Sequence, residues 1–310
     1  MYVASGEAGQ GGSSHVAQGP DAAKAINSAL AKASLASVGC VRLLPGVYPL
    51  TEPLVIQHDH LTLCGSTGVT LLAATTTAPL IRIAASHMAV RDVMINGAVP
   101  GTGSPKTGGG AACGVSIEGA VACVLVDNVV VSNVSGSAIS AVINVANAPK
   151  GGSQTGITVR GCVIDRCGMG GIGLAKRAGP VGIPSLAIYS SGHLVIGNRI
   201  SRTGSHAIYL TGTSSSQVIA NHLTHVSLYN VLGVFGHGIA IDGNCGNDPV
   251  ETVIITSNII DTVHTPANKM NACYVLGLIQ NDCDRNTNVC GCCIHDTPAN
   301  KMNACCNRLG

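Results

Sequence analysis

The sequence predicts an all-β solenoid, in which short strands form coils and the coils stack. Three observations point there. First, a phrase returns: Ser205-His206-Ala207-Ile208-Tyr209-Leu210-Thr211-Gly212 is followed 31 residues on by Gly236-His237-Gly238-Ile239-Ala240-Ile241-Asp242-Gly243. Second, segments of the form apolar-x-apolar-x-Asn-x-apolar recur every 23 to 37 residues. Their polar column reads Asp92, Asn128, Gly161, Asn198, Asn221 and Asn258. Third, the chain is 46% hydrophobic with 40 Gly, no Trp and one Phe, which suits thin layers of β-branched residues without a bulky aromatic centre. Repeats of this size cannot bury their apolar faces alone, so they must stack on one another. Alternation on either side of the column makes the repeat β, not helical.

Taken in order, residues 1–19 are small and polar and read as a flexible or externally docked arm. A helix is expected over 21–34, with Asp21 as N-cap and an apolar stripe of Ala25, Ile26, Ala29, Leu30 and Ala33. Gly39 ends it. Cys40 to Leu50 then reads as a strand, a Pro45-Gly46 turn and a second strand. Short strands follow at Leu54-Val55-Ile56, Leu61 to Gly65 and Val69 to Leu72.

These opening phrases carry a resemblance. A short amphipathic helix, then Gly39 to Leu50 in the pattern G-x-V-x-L-P-x-G-x-Y-x-L, then Leu61 to Gly65 as L-x-L-x-G, is similar to the start of pectate-lyase-like right-handed parallel β-helix proteins. The resemblance covers roughly residues 20–264 and implies that fold, with the helix closing one end of the coil stack.

Within the repeat, inward Asn residues on successive coils are expected to form a structural polar ladder of Asn128, Asn198, Asn221 and Asn258, because buried amides need partners above and below. The third strand of each coil is the recurring phrase: Ala138 to Ala141, Gly171 to Leu174, Ala207 to Leu210 and Gly238 to Ile241. Its Ile and Leu point inward, and Ser140, Gly173, Tyr209 and Ala240 point outward. Outward residues then line up as stripes with about 4.8 Å between coils. Such a stripe suits a long polymer. Val99 to Gly110 and Ala175 to Pro184 read as loops overhanging the stack.

From Thr265 the character changes. Thr265 to Cys273 recurs letter for letter as Thr297 to Cys305, among the cysteines at 283, 290, 292, 293 and 306. Residues 265–310 are expected to form a disulfide-stapled C-terminal cap. A zinc site on Cys290, Cys292, Cys293 and His295 is the alternative, although its spacing fits no regular pair of C-x₂-C units.

The chemistry centres on His237, Asp242 and His206. Gly236-His237-Gly238 resembles the Gly-His-Gly strand of polygalacturonase-type hydrolases, and the resemblance implies glycosidic cleavage by separate acid and base carboxylates. Thr211 and Ala175 stack under Asp242, so a second carboxylate is missing there. Tyr209, Lys176, Arg177 and Arg199 are the substrate-binding candidates, Tyr209 as a sugar platform and the others for an acidic sugar. A further stack of Asn96, Ser132, Asp165, Arg202, His225 and Thr262 suggests an Asp165–Arg202 ion pair, read as part of the polar ladder or, in a lyase, as acid-sugar machinery. No metal ligands are expected; Ca²⁺ enters only under the lyase reading, and no carboxylate cluster for it is visible.

Two function classes follow. One is a carbohydrate-active protein that binds, and cleaves or remodels, an acidic extracellular polysaccharide, as a polysaccharide lyase or glycoside hydrolase. The other is a non-catalytic structural or adhesive rod of a surface, wall or virus particle, cross-linked through its C-terminal cysteines; a homo-oligomer is compatible with it. With 10% charged residues and a net charge of +2, nucleic acid is an unfavourable partner. No apolar run reaches the roughly 18 residues of a membrane span. No signal peptide is visible, and 14 Cys favour an oxidising destination, so an extracellular or particle-surface location is expected.

Overall fold

The computed structural model describes residues 2–5, 15–17, 22–35, 39–74, 78–98, 111–143, 153–176, 189–226, 228, 237–242, 253–261, 273–276, 288–290 and 293–294. Among these, the strands fall into sheets of eleven, nine and eight strands and a short fourth of four. Every ladder is parallel, and each strand pairs with its counterpart one coil later. In the third sheet, for example, Val115–Glu118 pairs with Ile139–Ile143, then Ile172–Lys176, Ile208–Thr211 and Ile239–Asp242. This is a right-handed parallel β-helix, the hand that parallel crossovers adopt.

The core is a set of vertical columns. Val41, Leu63, Val90, Val126, Val159, Val195, Val218 and Ile255 occupy one inward position of the first sheet on eight successive coils, all fully buried. Branched side chains at the strand spacing fill such a column without voids, which is why the chain manages without large aromatics.

Single residues in the left-handed conformation turn the chain from the first sheet into the second: Asp92, Asn128, Gly161, Gly197, Ala220 and Ser257, with φ between 53° and 66°. That column corrects the polar alignment drawn from sequence. Asp92, Asn128 and Gly161 belong to this exposed corner, whereas Asn198, Asn221 and Asn258 lie one residue further on, in the buried column that begins Val93, Val129 and Cys162. Asn is favoured in both settings, as a left-handed corner residue and as a buried amide, so the letter alone cannot distinguish them.

Within residues 1–19, the strands Tyr2–Ser5 and His15–Ala17 extend the first sheet below Cys40–Leu43. The helix, α1, runs Ala23–Leu35 and buries Ala23, Ile26, Ala29, Leu30 and Ala33. The Ala22 N–H donates to Pro49 O at 2.8 Å and ties its start to the first coil; Asp21 lies outside the described residues. At the other end, Cys273–Leu276, Asn288–Cys290 and Cys293–Ile294 add one further strand to each long sheet. The described part of the expected cap thus continues the coils, and its remaining cysteines lie outside the described residues, as does loop 99–110.

Candidate functional site

The outer face of the third sheet is built on one register. Arg82, Ser116, Ser140, Gly173 and Tyr209 occupy the same outward position on successive coils; Ala240 continues the register but is buried, not exposed as alternation predicts. One position further along the chain direction on that face, a second column begins at Glu118 and its backbone passes through Val142, Ala175, Thr211 and Asp242 to Leu276. Ser140 and Gly173 are small, and a Cβ built on Gly173 meets nothing within 4 Å. The face is therefore a flat open floor between two walls. From Ser116 to Tyr209 is three coils, about 14 Å at the usual strand spacing.

The upper wall is a stack of rings. His206, in the turn that leads into the strand Ile208–Thr211, precedes Tyr209 by three residues and lies against it, with ring centroids 5.2 Å apart and planes 15° from parallel. His237, one coil later, also stacks on His206, at 5.2 Å and 26°. The His237 backbone N–H donates to His206 Nδ1 at 3.0 Å, so the neutral ring carries its proton on Nε2. Burial, with His237 nearby, pulls the His206 pKa down to about 4. At neutral pH His206 is therefore an uncharged hydrogen-bond donor with its basic nitrogen occupied, a poor general base and a good stacking surface.

The lower wall is an ion pair that sequence reasoning missed. Arg82 grips Glu118 through Nε at 3.1 Å and Nη2 at 2.6 Å, and Ser116 Oγ donates to Glu118 Oε1 at 3.0 Å. The Arg82 hydrogen bonds hold the Glu118 carboxyl below the usual carboxylate range, against the opposing effect of burial. Glu118 is thus ionised and cannot serve as a general acid at neutral pH. The signal was available, because Arg82 and Glu118 sit on adjacent coils of the third strand.

The remaining predicted residues are scattered around the coil. Asn198, Asn221 and Asn258 form a continuous buried chain: Asn198 Nδ2 donates to Asn221 Oδ1 and Asn221 Nδ2 to Asn258 Oδ1, both at 2.9 Å. The same oxygens accept the backbone N–H of the preceding Asn, and each Nδ2 also donates to a carbonyl of an earlier coil. Asn128 is exposed and instead donates to Asp92 Oδ1 at 2.8 Å. Arg202 stacks on Arg166, not on Asp165 as the sequence alignment had it, because both arginines occupy a left-handed corner. It reaches diagonally to Asp165, at 2.6 Å and 2.5 Å, and Ser201 and Arg166 complete the carboxylate's partners. Arg199 lies on the outer face of the second sheet, beside His222 and away from Tyr209. Lys176 ends the strand Ile172–Lys176; Arg177 lies outside the described residues, as do the side chains of Lys176 and Asp242. Two further polar groups escaped the sequence reading: a His222–Asp261 pair at 2.5 Å, and a buried His193 in the turn after the fourth sheet. Among the described residues no three His, Cys, Asp or Glu side chains are grouped to hold a metal ion, and no helix is long and apolar enough to cross a membrane.

No family model matches the sequence, and no curated protein matches it. Solved structures do. The chain is similar to the GH136 lacto-N-biosidase of Eubacterium ramulus, with a TM-score of 0.59 and 13% identity over 79% of this chain. The alignment spans 51% of that enzyme, so the chain corresponds to about half its length. It is also similar to PfbA, a surface adhesin of Streptococcus pneumoniae, with a TM-score of 0.56 and 15% identity over 84% of this chain and 77% of the adhesin. At these identities the likeness is one of fold, and it is the parallel β-helix that the opening phrases implied.

Proposed function

We propose that the chain is a carbohydrate-binding β-helix protein that holds a linear polysaccharide along the outer face of the third sheet. The carrying observation is the ring stack of Tyr209, His206 and His237 beside the open floor at Gly173 and Ser140. A sugar ring presents an apolar face to an aromatic platform and hydroxyls at its edge. Tyr209 supplies the platform, and His206 Nε2–H and the Ser140 hydroxyl supply polar partners. The fold shared with a lacto-N-biosidase and a surface adhesin supports the same reading, with a cell or particle surface as the setting.

Binding is favoured over cleavage by the state of the two walls. His206 has its basic nitrogen occupied, and Glu118 is pinned by Arg82. Hydrolysis needs two carboxyl groups within about 10 Å of each other, one of them protonated. Cleavage rests on Asp242, whose backbone is in register with Thr211 beside the stack. The choice of an acidic polymer draws on the basic residues Lys176 and Arg177 in the sequence.

The test is binding to a panel of neutral and acidic polysaccharides, with product analysis for reducing and unsaturated ends. Tyr209→Ala is expected to weaken binding about tenfold or more, the usual effect of truncating an aromatic anchor, while leaving the fold intact. Equal binding by the wild type and the variant would sink the proposal; release of new ends would move it to an enzyme.

A further inference from the structure

The two cysteines nearest the N-terminal end of the coil stack are placed as a reactive pair. Cys40 opens the first strand of the first full coil, and Cys64 closes the matching strand of the next. Their register partners are Thr62 and Arg42, so the cysteines are diagonal neighbours across one inter-coil step. Both side chains face away from the core column of Val41 and Leu63, and their sulfurs lie 3.5 Å apart. Among the other cysteines whose side chains are described, Cys113, Cys162 and Cys167 are buried in the stack and direct their thiols to backbone carbonyls, and Cys123 is an exposed thiol in a different part of the stack. Nothing in the cysteine spacing of the sequence singles out this pair, because the two lie 24 residues apart and the conspicuous cysteines lie at the other end of the chain.

We infer that Cys40 and Cys64 form an oxidisable dithiol site that closes to a disulfide between the first two coils when a small-molecule disulfide is present. The sulfurs must approach by about 1.5 Å to reach bonding distance, and because the diagonal register leaves the Cα atoms roughly 8 Å apart, beyond the roughly 7 Å a disulfide spans, the first strand must shift along with the side chains. Access sets the order of events. Cys40 is half-buried, whereas Cys64 is 6% exposed and burial raises its pKa to about 11. The Cys40 thiolate therefore attacks the oxidant's disulfide, forms a mixed disulfide and releases one small thiol. The Cys64 thiol then loses its proton to water and attacks the Cys40 sulfur, expelling the second small thiol. Two protein thiols are oxidised, and the oxidant is reduced to two thiols. The bond would staple the coil that carries the α1 contact Ala22–Pro49 to the coil above it, near the N-terminal end of the stack.

The full-length reduced protein, treated with oxidised glutathione at pH 8 and then alkylated and digested, provides the test. A Cys40–Cys64 cross-linked peptide is expected in the wild type, with a thermal midpoint raised by roughly 5 °C that reverts on reduction. Cys64→Ser should trap a stable glutathione adduct on Cys40, and Cys40→Ser should leave Cys64 largely unmodified. A wild type that retains the glutathione adduct on Cys40, or that cross-links other cysteines and leaves these two as thiols, would overturn the assignment. So would equal modification of Cys64 in the presence and absence of Cys40.

Discussion

Acid should loosen this protein through the buried ring of His193. His193 is 1% exposed and sits in a neutral hydrogen-bond chain. Its Nδ1 accepts the Ile157 N–H at 3.2 Å, so Nε2 carries the proton and donates to Ser190 Oγ at 2.7 Å; its own N–H reaches Ser216 Oγ at 3.1 Å. Protonating Nδ1 would turn the acceptor of the Ile157 N–H into a second donor. Burial accordingly lowers the His193 pKa from 6.5 to about 4. Since the folded value lies below the unfolded one, the contribution is fully present above pH 6.5 and is lost as pH falls towards 4. The gap corresponds to about 3 kcal/mol. The assay is urea unfolding of the wild type and His193→Gln at pH 7.5 and pH 4. The variant is expected to be weaker at pH 7.5, but to lose about 3 kcal/mol less than the wild type between the two pH values. Contributions from His206, which has a similarly low pKa, are common to both proteins and cancel. Parallel losses in the two proteins would refute the argument.

Other perturbations separate the structural columns from the surface. Asn221→Ala removes an amide that serves both neighbours in the buried chain and should cost about 3 kcal/mol, whereas Asn128→Ala, on the exposed corner, should cost under about 1 kcal/mol; chemical denaturation reads both. Gly97→Ala would place a Cβ 2.3 Å from the Asn133 carbonyl oxygen and should cost at least about 3 kcal/mol or abolish soluble expression, while Gly173→Ala should be nearly silent in thermal unfolding.

Much of the fold was legible because a solenoid repeats its instructions. The third-strand phrase fixed its own register: Ile139, Ile172, Ile208 and Ile239 pair as the letters align, and the outward Ser140, Gly173 and Tyr209 follow from alternation. The Asn column failed by one residue because its polar letter changes position between coils, at the corner in Asp92 and Asn128 and inside the core from Asn198 onward. A one-residue slip also misplaced Arg202 relative to Asp165, although the long side chain still bridges them. The site was less legible. Phrase similarity found His206, Tyr209 and His237, but not that one histidine's backbone occupies the other's ring nitrogen. Arg199 looked like a companion of Tyr209 in the sequence, yet a coil has several faces, and charge near a motif in the chain need not be charge near it in space.

The central claim is that a polysaccharide lies on the floor between the ring stack and the Arg82–Glu118 pair, and Gly173 is where it can be tested with least disturbance. Its outward position is open, so Gly173→Phe adds bulk to the floor without entering the core. Titration of wild type and Gly173→Phe with whichever polysaccharide binds, alongside their thermal midpoints, is the measurement. The account predicts unchanged unfolding with binding reduced at least tenfold. Undiminished binding by a folded Gly173→Phe protein would contradict it.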